Sequence, residues 1–308
     1  MANETTTTVL SGQVQTGYDV AAKFALRSIP IFDQFATVKA GSLTNPGDVV
    51  SFTIWTDIAT QTSALNEVTD VTPVAMASSA VTVTPLEYGM TTVTTAKLRS
   101  DTLLPAFSSD QVNVVAYNMA NSLDVVCRTV MEASGTERWI GQTSEAAITA
   151  TDILTADEVR TEHAAIVGAN VMPFGSDYAW VIHPDVAYDL KSETGDGAWI
   201  APSQYVNTEK IYNNEIGKFA GFKFIESTRA LLSADAGASA VDTYHNYIFG
   251  AENTAKAVSI APGLVQGPVT DYLKRLVPLG WYGYLGYDTF RADASRLVLC
   301  ASSIGANV

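Results

Sequence analysis

The chain has 308 residues, 47% of them apolar and only 16% charged, against roughly 25% charged in an ordinary soluble domain. That length can bury one large core or two joined ones, and the shortage of charge suggests that much of the surface faces protein neighbours. A net charge of −14, from 32 acidic and 18 basic residues, argues against affinity-driven nucleic-acid binding, which needs Lys and Arg to displace counterions from phosphates.

Residues 1–17 are polar and without period, which predicts an extended arm. Tyr18 to Leu26 carries Val20, Ala21, Phe24 and Ala25 at helical spacing, a short helix that Pro30 stops. The start of the chain has neither the basic region nor the apolar core of a signal peptide. No apolar run approaches the roughly eighteen residues of a membrane span. The expectation is a soluble, unexported protein without a membrane partner.

Val38 to Pro85 reads as β. Val50, Phe52 and Ile54 alternate within one run, and Ala80 to Thr84 alternates again. The segment between them is rich in Thr, Ser, Asn and Glu. Two strands so joined bury little by themselves, and an isolated ribbon is marginal in water. The segment is therefore either a long surface loop or a ribbon that a neighbouring subunit supports. Met90 to Thr95 predicts a further strand.

Ser108 to Ser134 is the clearest helix. Ser108 and Gln111 have the spacing of a capping box. Val112, Val115, Met119, Leu123, Val126, Cys127, Val130 and Met131 then form a stripe in steps of three and four, and Gly135 supplies the stop. At 1.5 Å per residue such a helix is roughly 40 Å long, a spine for other elements to pack along.

A second unit opens near Thr151. Thr155 and Glu158 are spaced as another capping box, before a helix with Val159, Ile166 and Val167 that closes near Gly168. Tyr178 to Ile182 predicts a strand. His183-Pro184-Asp185 starts a helix with proline in its first turn; Val186, Ala187 and Leu190 are its buried side, and Gly195 to Gly197 ends it. Strands follow at Gly221 to Ser227, Tyr244 to Phe249, Trp281 to Tyr287 and Arg296 to Leu299. Strands with a few helices packed on them make the fold class α+β.

Catalytic and metal chemistry find little footing. His163, His183 and His245 are far apart, and no Cys/His cluster or zincin motif occurs. The nucleophile elbow and the P-loop are absent, and Gly195-Asp-Gly197 lacks the third glycine of a dinucleotide loop. Trp281, Tyr282, Tyr284 and Tyr287 crowd one strand, but without Arg or Lys they fit a core or subunit contact better than base stacking. Cys127 and Cys300 lie in apolar stretches and are expected as buried thiols, with a disulfide as the less usual alternative. No catalytic residue, metal or cofactor is assigned, and the chain is read as not an enzyme.

Certain pieces occur in a telling order: Gly47-Asp48-Val49-Val50, Leu65 to Asp70, Glu87-Tyr88-Gly89, Val181 to Asp185, Ile216 to Gly221 leading into Phe224 to Ser227, and Pro278-Leu279-Gly280. In this order the chain resembles, over nearly its whole length, the tailed-phage major capsid proteins of the Hong Kong ninety-seven fold, and specifically the coat family typified by coliphage N-four. The resemblance implies an N-terminal arm over 1–37, an extended β-hairpin loop over 38–86 and a peripheral domain over 87–149 with its spine helix at 108–134. It further implies an axial α/β domain over 150–270 and C-terminal strands over 271–308 that return to the peripheral domain.

By the same resemblance the partners are copies of the chain itself, as hexamers and pentamers of an icosahedral shell. Portal and scaffolding proteins and a cement or decoration protein join them, and packaged DNA is enclosed without sequence-specific binding. Assembly in the host cytoplasm and residence in the virion follow. Some members lock the shell by an isopeptide bond from a loop lysine; no lysine lies between Lys39 and Lys97, so no such crosslink is expected. Nor is there a long charged N-terminal extension, so scaffolding is expected from a separate protein or the chain is already mature. Glu67, Asp70 and Arg99 are the candidate inter-subunit contacts. The alternative is an encapsulin-like shell around a cargo protein; a secreted adhesion protein and an uncharacterised enzyme fit less well.

Overall fold

The computed structural model describes residues 27–38, 49–68, 70–101, 107–193, 215–268 and 271–304. The arm, the Tyr18–Leu26 helix and the Gly195–Gly197 stop fall outside these residues. The described elements are, in chain order, β1 (Ala36–Val38), β2 (Val50–Thr56), β3 (Ala77–Val83), β4 (Leu86–Thr95), α1 (Ala96–Asp101), α2 (Phe107–Ser134), β5 (Thr136–Trp139), α3 (Ala156–Gly168), β6 (Tyr178–Ile182), α4 (Pro184–Ser192), β7 (Glu215–Phe219), β8 (Phe222–Glu226), β9 (Leu232–Ser233), β10 (Thr243–Phe249), β11 (Thr254–Gln266), β12 (Leu276–Thr289) and β13 (Ser295–Cys300). They form a four-stranded sheet in the order β1-β11-β12-β4, a larger sheet in the order β5-β13-β10-β6-β8-β7 with β9 on β10, and the two-stranded ribbon β2-β3.

The chain divides into two compact units. One comprises residues 1–27, 89–119 and 263–282; the other comprises 28–88, 120–262 and 283–308. In the larger unit, β6 and β10 are buried at every residue, which is what central strands covered on both faces show. One face of β10 contributes Tyr244 and Ile248 to a core with Trp180, Phe222, Phe224 and Val298, closed by Val159 and Ile166 of α3 and Val186 and Leu190 of α4. The opposite face carries Tyr247 and Phe249, whose rings meet Phe32 edge-on at 5.1 and 6.2 Å.

Local signals place these elements as the residues suggest. His183 caps α4 with Nδ1 accepting the Asp185 N–H at 3.3 Å, and Pro184 fills the first turn. Thr155 Oγ1 accepts the Glu158 N–H at 3.4 Å, one half of the capping box. The Glu158 side chain instead pairs with Arg138. In α3, Val159 and Ile166 are buried while Val167 is half-exposed. Ala156 is buried as well, and so is Glu162, whose carboxylate accepts from Arg138 at 2.6 Å on one oxygen and from Arg296 at 2.7 Å on the other.

Strand β4 starts at Leu86, earlier than expected, and β12 starts at Leu276. In the smaller unit Thr92 and Thr94 of β4 bond the Leu279 and Val277 carbonyls of β12. Gly280 is needed there, since a Cβ at that position would lie 2.4 Å from the Met90 carbonyl oxygen. Strand β11 was not anticipated at all, because Pro262 and Gly263 interrupt its pattern.

Both cysteines are free and buried. Burial pushes the Cys300 thiol up to about 12 and raises Cys127 further. Trp281 is buried with Nε1 donating to Asn118 at 2.9 Å, and the Tyr287 hydroxyl donates to Asp33 at 2.6 Å. Trp281 and Tyr287 are thus core residues, while Tyr282 and Tyr284 are half-buried, and Lys256 Nζ lies 5.4 Å over the Tyr287 ring.

Candidate inter-subunit surface

The ribbon β2-β3 is anchored at one end and bare at the other. Its register runs from Val50 opposite Val83 to Thr56 opposite Ala77. At the base, Val50, Phe52 and Val83 are buried with Ala255 and Ala257, and the Phe52 ring lies 5.6 Å from that of Phe290. From Trp55 to Ala80 every described residue is exposed. Trp55 is 65% exposed, Leu65 70% and Val68 91%. Large exposed apolar surface on a soluble chain commonly marks a binding surface, and the ribbon and its loop carry Trp55, Leu65 and Val68 in this state.

Glu67 and Asp70 lie on the loop that closes this ribbon. Its shape comes from side chains bonding nearby backbone: Asn66 Oδ1 accepts the Val68 N–H at 2.9 Å and Asp70 Oδ1 accepts the Val71 N–H at 2.8 Å, as Asn and Asp do in turns. Among the described residues Glu67 makes no ion pair. Arg99 belongs to α1 in the other unit, also exposed. All three side chains are exposed in the single chain; what they contact in an assembly is a matter for proposal. Next to α1, the Ala96 N–H donates to the Arg275 carbonyl at 2.7 Å, and Tyr272 and Leu273 stand out from the turn, Tyr272 fully exposed. Arg275 donates to Asp271, whose carboxyl is held below its ordinary range.

The charged groups that sequence reading missed are buried. Asp124 of α2 accepts the Phe32 N–H at 2.6 Å and the Arg229 Nε–H, while Arg229 also donates to Asn121 at 2.6 Å and Ser28 at 3.2 Å. The segment Ser28–Phe35 is thus fastened to the spine helix. Lys256 fastens its end by bonding Asp33 at 2.6 Å.

His245 has Glu132 2.8 Å from Nδ1 and Glu145 3.2 Å from Nε2. Its burial opposes charge, yet the two carboxylates hold its pKa above the ordinary histidine value. With its ring enclosed, this group braces the fold rather than meeting a substrate. Among the described residues no group of His, Cys, Asp and Glu has the geometry to hold a metal, and no helix is long and apolar enough to cross a membrane. A cavity of about 240 Å³ lined by Ile54, Val171, Met172 and the Glu252–Arg291 pair is smaller than the roughly 300 Å³ at which small-molecule pockets begin.

The family model described as "Phage capsid protein" matches residues 33–295. No curated protein matches the chain significantly. Among solved structures, the capsid of Ralstonia phage GP4 superposes with a TM-score of 0.75 at 12% identity, covering 97% of this chain and 98% of that one. The capsid asymmetric unit of cyanophage Pam1 gives 0.74 at 12% identity, with 99% and 100% covered. The capsid of cyanophage P-SCSP1u gives 0.73 at 16% identity, with 95% and 94% covered. At these identities the likeness carries the fold.

Proposed function

The chain belongs to the phage capsid protein family, and from that premise we propose that it is a Hong Kong ninety-seven-type coat protein, of the kind typified by coliphage N-four, which closes with its own copies into an icosahedral shell around double-stranded DNA. Its role is structural, a major capsid protein of a phage head. Portal, scaffolding and cement proteins are the further partners of this reading, and the virion is its location, with assembly in the host cytoplasm. The arm is assigned to residues 1–37, the extended loop to 38–86, the peripheral domain to 87–149, the axial domain to 150–270 and the returning strands to 271–308.

The observation that carries the reading is the ribbon β2-β3, seated in the core at its base and exposed at every described residue from Trp55 to Ala80. A closed shell offers a cover for this surface by repeating one interface around symmetry axes. DNA inside needs no binding site, and a chain of net charge −14 holds phosphates loosely. Glu67→Lys tests the assignment, because the position is exposed and the change should leave the subunit's own stability within about 0.5 kcal/mol. Folded subunits that no longer close are expected; normal shells from this variant would remove the loop from the interface.

A further inference from the structure

We propose that the loop closing β2-β3 in one copy seats on a basic, apolar knob of a second copy, formed by α1 and the 271–275 turn. The proposal rests on the shell reading and names the partner surface for its loop. The loop carries Asp57, Glu67 and Asp70, and no Lys or Arg lies between Lys39 and Lys97. Its apolar side chains are bare, Val68 at 91% and Leu65 at 70%. A matching surface needs positive charge among exposed apolar groups.

The knob has this character in a chain whose net charge is −14. Lys97, Arg99, Lys274 and Arg275 outnumber Asp101 and Asp271 there, and Asp271 is already bonded to Arg275 at 2.8 Å. The bond from Ala96 N–H to the Arg275 carbonyl holds the two segments side by side. Among the described residues Lys97, Arg99 and Lys274 make no ion pair, and all three are exposed. Between the cations stand Leu98, Leu273 and the fully exposed Tyr272. Opposite charges set register and speed encounter, and the apolar side chains provide area to bury. Repeated around a closed shell, contacts of this kind add their strengths.

The test uses full-length chains in two populations, one with Val68→Cys and the other with Leu273→Cys, mixed, assembled and then oxidised. The native thiols are buried and stay silent. A disulfide joining the two populations is expected. In parallel, Glu67→Lys with Asp70→Lys, and separately Arg99→Glu with Lys274→Glu, should each lower shell yield at least tenfold. All four changes in one chain should restore at least half of it. Shells that form without the inter-population disulfide, a bridge closing within a single chain that carries both cysteines, or full yield from either reversed pair would each overturn the proposal while leaving the shell reading intact. Failure of the unaltered chain to assemble with any partner would remove both.

Discussion

Replacing Asp124 with alanine should be among the most damaging single changes in the larger unit. Asp124 is fully buried, and Arg229 is only 7% exposed. The substitution removes the carboxylate from Arg229 and leaves the Phe32 N–H without its acceptor at 2.6 Å. Breaking a buried pair by deleting one partner costs about 3–5 kcal/mol, and an orphaned buried N–H costs about 1–3 kcal/mol. The two overlap, because Asn121 and Ser28 still bond the guanidinium, so a loss of about 4 kcal/mol is expected. For a unit of this size that corresponds to a melting point lowered by roughly 10 °C. Asp124→Asn retains an acceptor and should cost about half as much. Joint replacement, Asp124→Leu with Arg229→Met, should recover only the part due to the unpaired guanidinium, since matched apolar pairs often equal a buried ion pair while the Phe32 N–H still lacks its acceptor. Urea unfolding of the unassembled chain, followed by tryptophan fluorescence, measures the energies, and hydrogen exchange at the Phe32 amide reports the fastening directly. A loss below about 1 kcal/mol for Asp124→Ala, with Phe32 still protected, would refute the reasoning.

The remaining predictions follow from burial and charge. Because the His245 pKa is raised in the folded state by Glu132 and Glu145, its contribution is complete below the unfolded value of about 6.5 and fades as pH rises through the folded value. The stability difference between the native chain and His245→Gln should therefore be larger at about pH 5 than at about pH 9, and unfolding at both values checks it. Trp180→Ala should cost about 3–5 kcal/mol as a core cavity. Trp55→Ala should change subunit stability by less than about 0.5 kcal/mol yet reduce shell yield, as light scattering would record. A thiol reagent at neutral pH should leave Cys127 and Cys300 largely unlabelled until denaturant is added, because burial raises both thiols far above that pH.

Periodic elements were legible in the residues, and charged ones were not. The stripe on α2, the fully apolar run of β6 and the proline start of α4 each state their structure locally, through side-chain spacing and backbone chemistry. The ribbon was legible as two alternating runs with a polar interval, but the apolar side chains that stand bare on it, Trp55, Leu65 and Val68 among them, were not, because within a mostly polar run they carry no period. Asp124 and Glu162 were missed because an acid within an apolar stripe ordinarily marks the solvent side. Only the distant Arg229, Arg138 and Arg296 make those positions tolerable inside. Strands β1 and β5 were missed for a related reason: each is short and gains its partner from far along the chain, Ala36 opposite Thr254 and Thr136 opposite Arg296. Glu67, Asp70 and Arg99 were named from the residues as candidate inter-subunit contacts; the single chain places them at the surface but does not name what a surface charge meets.

Negative-stain electron microscopy of the purified full-length chain, alone and with the proteins encoded beside it, tests the central claim most directly. Closed polyhedral particles, or rings of five and six subunits, are the predicted result. A chain that stays monomeric in both settings would contradict a shell protein.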